Sequence, residues 1–327
     1  MRARFWSIAL VSLAAAAVLG VALGPVRLSP SSLWAALTGH GDPTAVTIIQ
    51  TIRLPRVALA ALVGAALGMS GAAMQGTLRN GLAEPYLLGV SGGAAVGAVA
   101  AIALGWNAAI GVPIAAFVGA AGAAALVLSL ARIAGGRADV RLLLMAGVVV
   151  GAFANAAIMV AYATAPPETV RGALWWMMGS VDSAEWRRVS WLAVYVAIGG
   201  GALVVWARDL DALALGDDGA AALGVDVERA SRRAYLAAAL LAAATVAAAG
   251  LVGFVGLIVP HMVRAAGLRQ NRALLCGAAV VGAALVIAAD VVARTVRPPA
   301  ELPLGAVTAL LGVPFFLLQL RRLAARS

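Results

Sequence analysis

The sequence predicts an all-α polytopic membrane protein, with about ten transmembrane helices in one domain over residues 1–327 and both termini in the cytoplasm. Three observations carry this. Of the 327 residues, 63% are hydrophobic and 12% charged, with a mean hydropathy of +0.98. A soluble domain has ~25% charged residues, so this chain cannot cover a water-facing surface. Apolar runs of about 20 residues, enough to cross ~30 Å of hydrocarbon, recur between short arginine-bearing loops. Those arginines fall unevenly on alternate loops, as orientation in a membrane requires.

In chain order, spans are expected over 5–24, 57–78, 87–104, 111–134, 141–163, 190–207, 273–293 and 304–320. Arg2 and Arg4 give the first span the look of a leader peptide, but its cleavage pattern is weak and many spans follow, which keeps it as a helix. The region 235–268 is too long for one crossing. Arg229, Arg232 and Arg233 precede it, and Arg264, Arg269 and Arg272 follow, so both of its ends face the cytoplasm. It is expected to enter and return in two short crossings, breaking around Gly253, Gly256 and Pro260. On this topology 16 of the 24 arginines are cytoplasmic, Arg79, Arg137 and Arg326 among them. Arg27, Arg53, Arg56, Arg171, Arg187, Arg188, Arg294 and Arg297 remain outside and need another role. The abundance of Ala and Gly predicts close helix packing, as at Gly64, Gly68 and Gly71.

Composition also excludes chemistry. All 24 basic residues are Arg, which removes a P-loop lysine and a Schiff-base lysine. The net charge of +10 is scattered between apolar segments rather than gathered on one face, arguing for membrane orientation over nucleic-acid binding. Cys276 is the single cysteine, and His40 and His261 are the only histidines, on opposite sides of the membrane. A disulfide framework, a thiolate metal cluster and a constellation of nucleophile and base are all missing. No catalytic residue, cofactor or metal site is expected.

Four segments stand out. In 68–93, Gln75, Asn80, Gly89 and Ser91 are candidates for lining a solute path, weighed against helix packing and loop capping; Glu84 and Pro85 suit a helix start. In 215–233, the longest cytoplasmic loop, Asp217 or Asp218 is expected to cap a short helix through Leu223, Gly224 to stop it, and Asp226 to cap the next. A loop with two amphipathic helical turns reads as a docking surface for a cytoplasmic partner. In 250–264, His261 reads as a residue that caps or binds a carbonyl rather than as a ligand. In 289–308, Asp290 and Arg294 are four apart and can pair, while Arg294 and Arg297 join Arg53 and Arg56 as an outward-facing receptor for carboxylates.

Taken in order, Arg53-Leu-Pro-Arg56, Ser70-Gly-Ala-Ala-Met-Gln75, Leu82-Ala-Glu-Pro85 running into Gly89-Val-Ser-Gly-Gly93, the Leu215-Gly-Asp217 loop, Gly253-Phe-Val-Gly-Leu-Ile-Val-Pro-His261, Ala289-Asp290 and Glu301-Leu-Pro303 resemble one family. It is that of the permease subunits of type II ABC importers for iron(III)-siderophores, vitamin B12 and haem. The resemblance spans about residues 50–320. It implies a homodimeric permease in the bacterial inner membrane, with a translocation path on the dimer axis. Two cytoplasmic ABC ATPase subunits and a periplasmic binding protein are its implied partners. Arg53, Arg56 and Arg294 then receive glutamates of the binding protein. The loop at about 209–233, with Leu215, Gly216, Asp217, Asp218, Ala221, Leu223 and Gly224, then couples to the ATPase. The expected activity is ATP-driven import of a bulky metal chelate, an iron-siderophore ahead of cobalamin or haem. The alternative is an ion-coupled secondary transporter, for which only Asp290 offers an intramembrane charge.

Overall fold

Small side chains and prolines decide where the helices lie and where they stop. The computed structural model describes residues 2–135 and 140–324; Arg137 and Arg326, counted above as cytoplasmic, lie outside the described residues. Every regular element among the described residues is helical. The first is α1 (Arg2–Ala22). Two short helices follow, α2 (Pro30–Leu37) and α3 (Pro43–Val46), each with Pro in its first turn and a capping side chain, Ser29 or Asp42, before it. From α3 the helix continues through a π-helical stretch, Thr47–Arg53, into α4 (Leu54–Thr77). The wide turns sit just ahead of Pro55, which lacks the amide that a regular helix would use there. Arg53-Leu-Pro-Arg56 therefore lies inside a long helix, not before one as expected.

Beyond a short 3-10 turn at Pro85–Leu88 come α5 (Val90–Ala103), α6 (Gly111–Gly135), α7 (Val140–Thr164), α8 (Pro167–Met177) and α9 (Trp186–Val205). The chain then forms α10 (Ala207–Leu213), α11 (Asp217–Ala222), α12 (Val227–Ala249), α13 (Val255–Ala265), α14 (Asn271–Thr295) and α15 (Leu304–Ala324). Among the described residues, seven helical stretches are long and apolar enough to cross a membrane, and α5, α13 and the Leu304–Leu317 part of α15 are shorter apolar helices. The expected pair within 235–268 exists, its break at 250–254 takes in Gly253, and its first member is a full 23-residue helix rather than a short crossing. Gly256 and Pro260 sit inside α13.

The core forms around α4, with α14 laid along it and α12, α13 and α9 on its other sides. Backbone touches backbone there. A Cβ on Gly64 would lie 2.0 Å from the Gly282 carbonyl oxygen, and one on Gly282 would lie 2.2 Å from that of Gly64. The same device joins α5 to α6, where a Cβ on Gly93 would stand 2.3 Å from the Gly119 oxygen. Lipid and core are equally apolar, so such contacts gain from dispersion and close fit rather than from expelling water.

Replacing Gly64 with Ala must push α4 and α14 apart, and overpacking of this kind costs about 1–3 kcal/mol. Gly122→Ala, where a Cβ meets nothing within 4 Å, is the control. Thermal unfolding in detergent should show a lower midpoint for Gly64→Ala only; equal midpoints would refute the close contact.

Candidate functional site

The cytoplasmic loop expected to dock a partner is a small helical module tied down by aspartates. Asp209 on α10 pairs with Arg233 of α12. Asp211 accepts from both the backbone and side-chain nitrogens of Asn271, at 2.8 Å each, and so caps the start of α14. Asp217 on α11 pairs with Arg79 at 2.9 Å, in the loop that leaves α4. One module thus holds α12, α14 and the 78–89 loop. Two details differ from expectation. The N-cap of α11 is Gly216, at φ 94, so Asp217 and Asp218 stand in its first turn and favour it through the helix dipole rather than by capping. The helix ends at Ala222, with Gly224 at φ 79 turning the chain, and Asp226 caps α12 by accepting from the Arg229 amide. Leu215 and Leu223 stand 68% and 64% exposed at the two ends of α11, although buried leucine was available to this loop, as Leu213 shows at 2%.

Above this module, polar side chains repair the breaks around α13. Pro260 cannot donate to the Gly256 carbonyl one turn earlier. Gln75 of α4 does so instead, its Nε2 reaching the Gly256 and Leu257 oxygens at 3.2 Å each, while Arg264 donates to its Oε1. His261 Nδ1 lies 2.9 Å from the Leu257 oxygen. Glu84 accepts from the Phe254 amide at 2.8 Å, at the first residue before α13. Burial pushes the Glu84 carboxyl up to about 7, with the Phe254 amide pulling in the other direction.

Of the four path candidates, Gln75 lies between α4 and α13. It is 4% exposed and faces α13, which a second subunit could only bury further. Asn80 accepts from the Leu82 amide at 2.9 Å in a local turn. Gly89, at φ 81, is buried against Val127 and Val150, and Ser91 donates to the Tyr86 carbonyl at 3.0 Å. Their polar groups serve the backbone.

The outer arginines are also not where the charge argument placed them. Arg53, Arg56 and Arg294 are 3%, 6% and 2% exposed, so they do not form an outward-facing surface in this structure. Arg56 donates to Asp290 from Nε and Nη2, at 3.0 and 2.8 Å, and grips Glu301 with two bonds of 2.9 and 2.7 Å. Asp290 lies also 3.3 Å from the Arg294 Nε. The remaining donors close the end of α1. Arg53 Nη1 reaches the Val21 and Ala22 oxygens at 2.8 Å each, and Arg294 Nη2 reaches that of Gly20 at 2.6 Å. Three guanidinium groups and two carboxylates make a cluster with a surplus positive charge. The partner carboxylates Asp290 and Glu301 lie more than two hundred residues from Arg56 in sequence, which is why charge counting assigned the arginines to solvent. Asp290, held between two arginines, is not free to couple an ion.

The chain matches the FecCD transport family over residues 12–322. It is 43% identical over 295 residues to the cobalamin import system permease protein BtuC of Halobacterium salinarum, covering 90% of this chain and 79% of that protein. The hemin transport system permease protein HmuU of Yersinia pestis is 39% identical over 314 residues, covering 93% and 92% of the two chains. A solved inward-facing conformation of a metal-chelate type ABC transporter superimposes with a TM-score of 0.87 at 28% identity, over 98% of this chain and 100% of that one.

Removing Asp290 as Ala leaves two buried guanidinium groups short of a counter-charge, and breaking such a network costs about 3–5 kcal/mol. Glu301→Ala should cost far less, because the Glu301 side chain is 32% exposed and water replaces it. Thermal unfolding of both variants in detergent decides; equal losses would mean that Asp290 carries no special share of the cluster.

Proposed function

Because the chain belongs to the FecCD transport family, we propose that two copies of it form the membrane pathway of an ATP-driven importer for a bulky metal chelate. The chain is a multi-pass ABC permease subunit, and ATP hydrolysis belongs to a separate subunit. The seven long stretches and three shorter apolar helices then make ten crossings per copy. The second copy covers the exposed apolar face of α15, where Leu310, Leu311 and Leu317 are 74%, 49% and 56% exposed.

The observation that carries the partner assignment is the pair of exposed leucines, Leu215 and Leu223, on a module held by three aspartates. Two apolar side chains presented on a rigid cytoplasmic helix suit a groove of an ATPase subunit. At the other face, an extracytoplasmic binding protein meets the end of the molecule where the arginine cluster lies. Arg297 is exposed there, and Arg56 can offer its guanidinium to a partner's carboxylate only by releasing Glu301. For the cargo, relatives named for cobalamin and hemin favour a metal held in a tetrapyrrole-type ring over the iron-siderophore expected from sequence. Uptake of labelled cobalamin, hemin and a ferric siderophore, compared in proteoliposomes with the cognate binding protein, separates the three. An ion-coupled carrier finds no support, since its one candidate charge is fully paired.

Leu223→Asp puts a charge into the proposed contact. Loss of a central apolar anchor costs about 2 kcal/mol or more, which is roughly 30-fold in affinity. The variant should insert normally yet fail to copurify with the ATPase. Normal copurification and normal uptake would end the assignment of α11.

A further inference from the structure

The loop between α4 and α5 touches both the docking module and the break ahead of α13. At its start, Arg79 adopts φ 48 and holds Asp217 of α11. Asn80 then closes a compact turn, its side-chain oxygen accepting from the Leu82 amide and its carbonyl from the Ala83 amide at 3.0 Å. At its far end Glu84 accepts from the Phe254 amide, and Pro85 packs so close to Gly256 that a Cβ there would lie 3.2 Å from its ring. The two anchors are five residues apart, a reach of at most about 17 Å even fully extended, and the turn shortens it further.

Phe254 is the other unusual residue. It sits at φ 67, a left-handed conformation that a bulky side chain rarely adopts. It is wedged between Glu84 on one side and α15 on the other, where a Cβ on Gly312 would meet Phe254 Cβ at 2.8 Å. From Phe254 the chain climbs through 250–253 to a junction of helix ends. There Ser180 donates to the Ala249 oxygen at 2.8 Å, and Leu304 and Gly305 donate to the Gly179 and Met178 oxygens at 3.0 and 3.1 Å. Phe254 thus stands where movement of the 78–89 loop would be passed to α12, α13, α8 and α15 together.

We propose that Glu84 is a positioning residue for transport, the inner end of a short strap that passes displacement of α11 to the interrupted helix pair at Phe254. The outer end of the strap is the Arg79–Asp217 pair, and the hydrogen-bonded turn at Asn80 joins the two. The inference rests on the reading of α11 as the ATPase-docking surface, and it adds the route by which docking reaches the membrane interior.

The test uses the whole transporter in proteoliposomes, with ATPase, binding protein and labelled cobalamin or hemin, whichever the unaltered transporter imports, and reads ATP hydrolysed per molecule imported. Glu84→Ala should keep ATPase copurification and hydrolysis while import falls by about tenfold, raising that ratio. Glu84→Gln keeps an acceptor oxygen and should restore import. Phe254→Gly supplies the discriminating arm, because Gly takes a positive φ without help. If Glu84 only held the Phe254 backbone in place, Phe254→Gly would rescue Glu84→Ala; a strap is not rescued. Rescue therefore overturns the proposal, as does wild-type import in Glu84→Ala or loss of import in Glu84→Gln. Loss of ATPase copurification in Glu84→Ala would overturn it too, by placing Glu84 in assembly. The underlying reading fails separately, by normal copurification of Leu223→Asp.

Discussion

Inside a bilayer no water is available to a backbone amide or carbonyl, and every other feature of this molecule answers to that constraint. An uninterrupted helix meets it alone. This chain interrupts its helices repeatedly, so the protein must supply partners at each interruption. At the end of α1 these are Arg53 and Arg294; at Pro260 it is Gln75; at Phe254 it is Glu84. Where no side chain is available, helix ends satisfy one another, as at the junction of α8, α12 and α15.

Those repairs divide the molecule into two mechanical regimes. Along α4 and α14, backbones approach through Gly64 and Gly282 with no room for rearrangement. Around 250–254 and 178–180 the backbones are as close, a Cβ on Gly250 standing 2.3 Å from the Trp176 oxygen, yet regular helix there gives way to hydrogen bonds between helix ends, which can switch partners. A transporter needs both, a fixed frame and a part that changes. The arginine cluster belongs to the frame: Arg56 and Asp290 fasten the outer ends of α4 and α14 to each other, and Glu301 draws in the loop before α15.

The spans were legible because hydropathy is a local sum, and the docking module was legible in outline because capping acts over three or four residues, as Asp226 does on Arg229. The break in 235–268 was legible from its excess length. Its position was legible at Gly253 but not at Pro260, where local propensity points to a break that Gln75 on a distant helix repairs. The burial of the arginines was hidden for the same reason. Positive-inside counting treats each as a solvated charge, and only the fold brings Asp290 beside Arg56 and the α1 carbonyls beside Arg53. Gln75 read as a path residue because polarity at membrane depth has two uses, and repair of a backbone leaves the same trace in sequence as contact with a solute.

The closure of α1 has a consequence for how the protein is made. The carbonyls at its outer end are satisfied by Arg53 on the π-helical approach to α4 and by Arg294 on α14, the latter separated from Gly20 by 274 residues of chain. During synthesis α1 is made well before α14, so one of the two groups that secure its outer end arrives only 274 residues later. Until then the Gly20 carbonyl depends on interfacial water and headgroups, while Arg53 already serves those of Val21 and Ala22. Locking of α1 into the bundle thus waits for α14, a helix that lies much later in the chain.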